Sequence, residues 1–258
     1  MLLKKENVHR YTHHYWPRLL QSLIVPFNWL AKKVLGIPFV MTYAFISDDD
    51  TQRMLYAQIS GCDYIRCRTL GLIAQGLHER YGESIKNYRV AELGVLRGHF
   101  AGLINELFPE CTFYMYDTFS GYDKRDLEHD NKKGMLDYKG DFNDRLRETS
   151  INYVLSRMPF KDKCAIREGY FPDTVQDEEK HVRFCFVSLD ANLYNPMHAG
   201  LEFFYPRLVD GGAIMLHDYN SLIMHGVKQA VLDFEKQYGA VAKIPLPDFA
   251  GSLLIVKP

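Results

Sequence analysis

Two predicted strands each end in ionisable side chains that could together hold a metal ion. Asp190 follows the apolar segment 183–189, and His217 and Asp218 follow the segment 213–216. If these strands are parallel neighbours, their carboxyl ends meet at the edge of the sheet where such folds bind ligands. Two carboxylates and an imidazole suit a divalent cation such as Mg²⁺ or Mn²⁺. A cation in this place would lower the pKa of a coordinated hydroxyl and orient it for nucleophilic attack.

His217 has three interpretations that the sequence leaves open. It could be a metal ligand, a general base, or a hydrogen-bonded residue beneath the site. An unperturbed imidazole titrates near neutral pH, as a general base should. A metal-bound nitrogen cannot accept that proton, so the first two roles exclude each other.

A glycine-containing turn joins the predicted strand 88–95 to the predicted helix 99–107. Gly94 permits a tight turn, and Gly98 would let the backbone approach a ligand. Glu92, inside this turn, would repel a pyrophosphate but could accept hydrogen bonds from an ammonium or a hydroxyl. We therefore expect S-adenosylmethionine rather than NAD, whose G-x-G-x-x-G spacing is also missing. A turn with no ligand is the structural alternative.

A second acid lies where the ribose of that nucleoside would be. Asp117 comes directly after the predicted strand 113–116, 23 residues beyond Gly94, and Thr118 follows it. An acid at about this spacing can hold both ribose hydroxyls. The alternative for a single Asp at a strand end is a helix cap.

The elements that must position these residues alternate along the chain. Periodicity predicts helices at 66–81, 99–107, 199–204 and 227–236, with further strands at 163–168 and 252–256. This order predicts an α/β fold, a doubly wound and mostly parallel sheet with helices on both faces. The segment 123–148 carries eight acids and seven basic residues. We expect it to be a solvated surface loop or a mobile lid.

Composition and charge exclude several classes of protein. The 258 residues are 47% hydrophobic with a net charge of −1, which is typical of an ordinary globular protein and argues against a nucleic-acid partner. Five cysteines without a CxxC pair predict reduced thiols. The apolar stretch 19–41 is interrupted by prolines and lysines, and no cleavable signal peptide is visible. We therefore expect a cytoplasmic protein.

Many sequence blocks, in the same order, resemble the macrocin O-methyltransferase-like family of class I, metal-dependent sugar O-methyltransferases. The resemblance runs from about Asp63 to Glu235. Its blocks include Asp63-Tyr64-Ile65-Arg66, Ala91-Glu92-Leu93-Gly94, Asp117-Thr118-Phe119-Ser120-Gly121, Gly169-Tyr170-Phe171-Pro172-Asp173-Thr174 and His217-Asp218-Tyr219.

The resemblance implies methyl transfer from S-adenosylmethionine to a sugar hydroxyl, on a natural-product deoxysugar or a glycan precursor. It places the methionine end of the cofactor at Glu92, Gly94 and Gly98. It places the ribose at Asp117 and the adenine near Glu168 and Gly169, with Thr118 also among the cofactor-binding residues. The implied metal ligands are Asp190, His217 and Asp218.

Two residues depart from the family pattern. His217 stands where an acid is usual, and Asn192 replaces the acid that the resemblance implies as the general base. An amide cannot accept a proton at a useful pH. Either the metal alone activates the hydroxyl, or another base such as His217 serves, or the chain is a catalytically weak or silent cofactor-binding relative that acts as a pathway subunit.

The resemblance also divides the chain into a helical N-terminal arm, residues 1–62, and a methyltransferase domain, residues 63–258. Residues 1–47 carry a net charge of +5, and apolar side chains recur at helical spacing between residues 19 and 35. We expect this arm to pack on its own domain or on a second subunit of a homo-oligomer. Contact with a membrane surface through residues 10–37 is the alternative.

Overall fold

The computed structural model describes residues 26–27, 29–30, 33–34, 62–137, 146 and 148–258. The chain divides into two compact units, residues 1–52 and 53–258. In the first unit the described residues are helical and exposed, and Lys33 Nζ lies 4.7 Å from the centroid of the Trp29 ring. Most of the predicted arm, including the greater part of the segment 10–37, lies outside the described residues.

The second unit contains a seven-stranded sheet in the order β3-β2-β1-β4-β5-β7-β6. The first five strands are parallel, and β7 pairs antiparallel with both β5 and β6. This arrangement confirms the predicted doubly wound, mostly parallel sheet. The strands are β1 Arg89–Leu93, β2 Thr112–Asp117, β3 Cys164–Glu168, β4 Phe184–Leu189, β5 Leu208–Leu216, β6 Ala242–Pro245 and β7 Leu253–Val256.

Six α-helices of the described residues accompany the sheet. They are α1 Tyr64–Tyr81, α2 His99–Leu107, α3 Lys124–Lys132, α4 Ile151–Ser156, α5 Tyr194–Phe204 and α6 His225–Tyr238. Short 3₁₀ segments occupy Gly82–Asn87, Lys161–Lys163, Asp177–His181 and Tyr205–Arg207. None of the helices that the structure describes is long and apolar enough to span a bilayer.

Apolar side chains form a separate core on each face of the sheet. Successive side chains of a strand point to opposite faces, so Phe113 joins one core and Tyr114 the other. The first core packs β2 against α1 and α2, with Leu70 and Ile104 fully buried. The second packs the sheet against α5 and α6, where Leu201, for example, is fully buried. Because helices cover both faces of the sheet, we expect ligands to bind at the edge formed by the carboxyl ends of the strands.

The expectation of a solvated surface loop across 123–148 was wrong for α3, which is helical. Its acids are not all solvated, because Asp126 and Asp130 are buried. Asp126 Oδ1 accepts a hydrogen bond of 2.9 Å from the hydroxyl of Tyr170, and Asp130 Oδ2 accepts one of 3.0 Å from the backbone N–H of Tyr194. These bonds hold α3 against the segment that follows β3 and against the start of α5.

Other elements are longer than predicted or were not predicted. The strand β5 begins at Leu208 because Gly211 and Gly212 continue it instead of forming a turn. The helix α5 begins at Tyr194, with Pro196 in its first turn, where the missing N–H of proline costs nothing. The short elements α4 and β6 have too few apolar positions to show a period.

Among the residues that the structure describes, four non-glycine residues adopt positive φ, and each lies within three residues of the carboxyl end of a parallel strand. They are Leu96, Phe119, Asn192 and Asp218, with φ values of 49°, 51°, 62° and 58°. Positive φ is unfavourable for residues with a Cβ, and such strain clusters at functional sites. The strained backbone at the ends of β1, β2, β4 and β5 therefore indicates a functional site at this edge of the sheet.

Candidate active site

A cavity of about 500 Å³ opens at the carboxyl ends of the parallel strands. It collects predicted site residues that are far apart in the sequence. Those that line it are Glu92, Gly94, Asp117, Thr118, Gly169, Asp190, Asn192 and His217.

Asp190, His217 and Asp218 come together as predicted from the strand ends. One ligand atom from each lies within 4.8 Å of the others. His217 Nδ1 is 3.1 Å from Asp190 Oδ1 and 3.2 Å from Asp218 Oδ2. Although buried, this nitrogen makes no hydrogen bond of good geometry with any described residue. The neighbouring strands β4 and β5 bring the three side chains to this point.

The carboxylates of this cluster stabilise a positive charge placed between them. Burial by itself lowers the pKa of His217, but the nearby carboxylates, chiefly Asp190, raise it to about 10. Burial opposes ionisation of Asp190, yet His217 and Arg66 hold the pKa of that carboxyl well below its usual range. Without a metal, the imidazole would therefore carry a proton at neutral pH. A metal ion would have to displace that proton in order to bind.

The glycine turn is built around Asp117. Its Oδ2 accepts hydrogen bonds from the backbone N–H groups of Val95 and Leu96, at 2.7 and 2.8 Å, and Oδ1 accepts one of 2.7 Å from Phe119. The amides that would hold a pyrophosphate in a dinucleotide fold are thus bonded to a carboxylate. Each carboxylate oxygen has further lone pairs and can still accept a hydrogen bond from a hydroxyl.

Gly94 is required by a close approach between two strand ends. It has φ of 86°, and a Cβ at this position would overlap the backbone carbonyl oxygen of Asp190 and lie 2.6 Å from its carbon. The turn after β1 and the loop that begins with a candidate metal ligand are therefore packed backbone to backbone.

Glu92, one strand position before Leu93, is buried and has one carboxylate oxygen, Oε2, without a partner among the described residues.

The structure places Gly98 and Glu168 outside the lining of this cavity. Gly98 precedes α2 with φ of 72°, and a Cβ there would lie 3.1 Å from Val154 Cγ1, so the close approach is to α4. Glu168 ends β3 and is exposed. The next residue, Gly169, lines the cavity, and its N–H donates to the carbonyl of Asp117.

Asn192 lies beside the metal-ligand cluster and is hydrogen-bonded to a tyrosine. Its Nδ2 donates to the hydroxyl of Tyr122 at 2.7 Å, and its Oδ1 is buried with no hydrogen-bond partner in the described part of the chain. Burial raises the pKa of Tyr122 to about 12. The phenol is therefore protonated at neutral pH and is a poor general base.

Sequence reasoning assigned no role to Arg66, although it occurs in one of the blocks that resemble the family. This buried side chain donates to Asp190 and to Ser188. The available signal was an arginine on the otherwise apolar face of the predicted helix 66–81, where a charge needs a partner.

The match to a known protein family decides the class of this enzyme. The family described as macrocin O-methyltransferase (TylF) matches residues 80–252, about two thirds of the chain. This protein belongs to the macrocin O-methyltransferase family. Members are O-methyltransferases, and methyltransferase membership implies S-adenosylmethionine as the methyl donor. The match includes the glycine turn, Asp117 and the three candidate metal ligands.

Solved structures share the fold of this family member. The O-methyltransferase NovP is 17% identical, with a TM-score of 0.57 over 75% of this chain and 80% of NovP. The calicheamicin methyltransferase CalS11 is also 17% identical, with a TM-score of 0.55 over 83% of this chain and 95% of CalS11. No curated protein sequence is significantly similar to the chain.

Proposed function

We propose that this protein transfers a methyl group from S-adenosylmethionine to a hydroxyl of a sugar or glycoside, with a divalent cation, Mg²⁺ or Mn²⁺, held by Asp190, His217 and Asp218. One observation carries the proposal. The three ligand atoms converge within 4.8 Å, and two of the three residues, Asp190 and His217, line the cavity that also contains Asp117 and Gly169. The sugar acceptor is supported by the family, whose description names macrocin.

The donor set fits a divalent cation. Two ligands about 2.1 Å from one ion and at right angles to each other are about 3 Å apart, close to the separations of His217 Nδ1 from the two carboxylates. The same nitrogen is buried within ion-pair distance of both carboxylates, yet it makes no hydrogen bond of good geometry to a residue the structure describes, so its lone pair could be directed to an ion instead. Mixed nitrogen and carboxylate ligands suit Mn²⁺ as well as Mg²⁺.

The cavity also fits the nucleoside of the cofactor. Asp117 would accept hydrogen bonds from the ribose hydroxyls through its remaining lone pairs. Burial raises the pKa of Glu92 well above its ordinary value, while the nearby Arg66 opposes that shift. The partnerless oxygen of Glu92 would accept a hydrogen bond from the ammonium of the methionine end, which would stabilise its ionised form.

The chain contributes position and charge to the reaction. When bound, the cofactor would supply an electrophilic methyl group and leave as S-adenosylhomocysteine, and the cation would lower the pKa of the acceptor hydroxyl so that its proton could pass to water. Asp117 and Glu92 fix the two ends of the cofactor, and Asn192 Oδ1 can accept a hydrogen bond from the acceptor. Holding both reactants in line would accelerate the reaction even without a carboxylate general base at residue 192.

Calorimetry with metal-stripped protein tests the proposal. S-adenosylhomocysteine is titrated alone, then with Mg²⁺ or Mn²⁺, and a panel of nucleotide sugars and glycosides follows. We expect cofactor binding in every condition and acceptor binding that depends on the metal. Acceptor binding that is indifferent to the metal would contradict the metal part of the proposal, and absence of cofactor binding would contradict the whole.

Removing a single ligand gives a sharper result. We expect Asp218→Asn to lose Mn²⁺ binding and at least about 10²-fold of methyl transfer, because one of two carboxylates is gone, while S-adenosylhomocysteine still binds. The matched control is Asp177→Asn, at an acid with a 93% exposed side chain that does not line the cavity. Full activity in metal-stripped Asp218→Asn would rule out the assigned role.

Asn192 supports one second candidate, a catalytically silent relative that binds the cofactor as a pathway subunit. Its amide cannot take up the proton that leaves the acceptor hydroxyl. Tyr122 does not replace the missing base, because its phenol stays protonated at neutral pH. Substitution of Asn192 separates the two candidates, as described in the Discussion.

A further inference from the structure

A buried arginine connects the two halves of the proposed site. Arg66 lies in the first turn of α1 and is only 5% exposed. Its Nη1 donates to Asp190 Oδ2 at 2.9 Å, and its Nη2 donates to Ser188 Oγ at 3.1 Å. The Ser188 hydroxyl in turn donates to Glu92 Oε1 at 3.1 Å. One guanidinium therefore reaches a candidate metal ligand directly and the cofactor-binding acid through one hydroxyl.

The location of Arg66 is unfavourable for helix stability. A positive charge in the first turn opposes the helix dipole, and burial of a guanidinium carries a large desolvation cost. Asp63 caps the helix by accepting hydrogen bonds from the N–H groups of Ile65 and Arg66. Arg66 Cζ also lies 4.0 Å from the centroid of the Phe100 ring, which fixes the plane of the guanidinium. The surroundings of Arg66 thus hold it in one orientation.

The hydrogen bonds divide the two oxygens of Asp190 between two partners. Oδ2 faces Arg66, and Oδ1 lies 3.1 Å from His217 Nδ1 on the side of the metal-ligand cluster. An arginine can hold a carboxylate and a second acceptor at once because its N–H groups form a rigid fork. A carboxylate held in this way presents one oxygen to an ion and cannot rotate to present both.

We propose that Arg66 is a positioning residue that holds Asp190 with one oxygen directed to the metal and, through Ser188, holds Glu92 toward the cofactor. The proposal rests on the function proposed above. It adds a residue outside the ligand set whose loss should disturb metal binding and cofactor binding together.

The sign of the effect on metal affinity separates positioning from simple charge. Removal of a positive charge near a cation site would by itself strengthen cation binding. Loss of the group that orients a ligand weakens metal binding, typically by about 10–100-fold. Arg66→Met removes both the charge and the fork, and Arg66→Lys keeps the charge but loses the fork.

The experiment measures Mn²⁺ binding by electron paramagnetic resonance, and S-adenosylhomocysteine binding by calorimetry, for the full-length native protein and each variant. We expect Arg66→Met to weaken Mn²⁺ binding by about 10–100-fold, and Arg66→Lys by about 10-fold. S-adenosylhomocysteine should also bind more weakly to both. The matched control is Arg167→Lys, at an arginine paired with the buried Glu179 on the second core, which should bind Mn²⁺ as the native chain does.

Each outcome has a definite meaning. Equal or tighter Mn²⁺ binding by a folded Arg66→Met would overturn the positioning role and leave the proposed function standing. If Arg66→Met does not fold, Arg66→Lys decides, and native-like Mn²⁺ affinity in that variant overturns the role. Failure of the native protein to bind Mn²⁺ or Mg²⁺ would overturn both this role and the proposed metal dependence.

Discussion

At the scale of single residues, the candidate site combines side chains whose convergence the sequence could predict with partners that it could not. The convergence of Asp190, His217 and Asp218 was predictable because each lies within two residues of the end of a buried strand. The role of Arg66 was not, because its bond to Asp190 joins residues 124 positions apart and no local pattern encodes that contact. The bond between Asn192 and Tyr122 is likewise formed across separate strand ends.

The chemistry of residue 192 can be tested directly. We expect Asn192→Asp to raise kcat by about 10²-fold, because a carboxylate beside the acceptor can take its proton. The control is Asn192→Leu, which removes the amide without adding a base and should lower kcat. The measurement is kcat and acceptor KM across pH 5–9 with saturating metal.

The native chain is compared in the same assay. Turnover by native protein excludes the silent candidate, whereas turnover only after Asn192→Asp supports it. Loss of all activity in Asn192→Asp would show that a third acid is harmful and that the amide itself is the required group.

At the scale of elements, alternating strands and helices could be predicted well, because periodicity depends on the apolar core. Segments whose structure depends on distant polar partners could not. The helix α3 was missed because its many charges indicate solvent, yet Asp126 and Asp130 are buried by bonds to Tyr170 and Tyr194. The predicted closeness of Gly98 to a ligand was an interpretation of a glycine that the structure places against Val154.

The contact between the turn after β1 and the loop after β4 predicts the effect of a single methyl group. We expect Gly94→Ala to cost about 1–3 kcal/mol of unfolding free energy and to weaken Mn²⁺ binding, because positive φ is strained and the Cβ displaces the backbone of Asp190. Denaturant unfolding and Mn²⁺ titration measure the two effects.

The control substitution is Gly76→Ala in the middle of α1, where an added Cβ meets nothing within 4 Å. It should be neutral or stabilising by up to about 1 kcal/mol. Intact Mn²⁺ binding in a destabilised Gly94→Ala would mean that the two loops move independently.

At the scale of the whole molecule, stability and chemistry occupy different regions of the fold. Apolar cores cover both faces of the sheet, while several of the buried polar atoms without a hydrogen bond of good geometry to described residues belong to side chains that line the cavity: Arg66 Nε, Glu92 Oε2, Asn192 Oδ1 and His217 Nδ1. Ligand atoms that pair with such groups remove a cost that the ligand-free protein bears. Bound ligands should therefore stabilise the entire domain.

Thermal unfolding tests that link. At a concentration of 100 times its Kd, S-adenosylhomocysteine should add about 2.7 kcal/mol to the unfolding free energy and raise Tm by roughly 5–10 °C. NADH at the same concentration should give no shift. A shift with NADH and none with S-adenosylhomocysteine would favour an oxidoreductase and contradict the methyl donor.

Engineering for heat resistance should leave the strand ends alone. Glycine at Leu96 or Phe119 would relieve a positive φ worth about 1–2 kcal/mol, but it would also free loops whose rigid shape orders the site before any ligand arrives. A variant selected only for a long half-life at high temperature would accumulate such glycine substitutions and would lose catalytic turnover. Substitutions on the exposed surface of α1, such as Gly76→Ala, should raise stability without a loss of turnover.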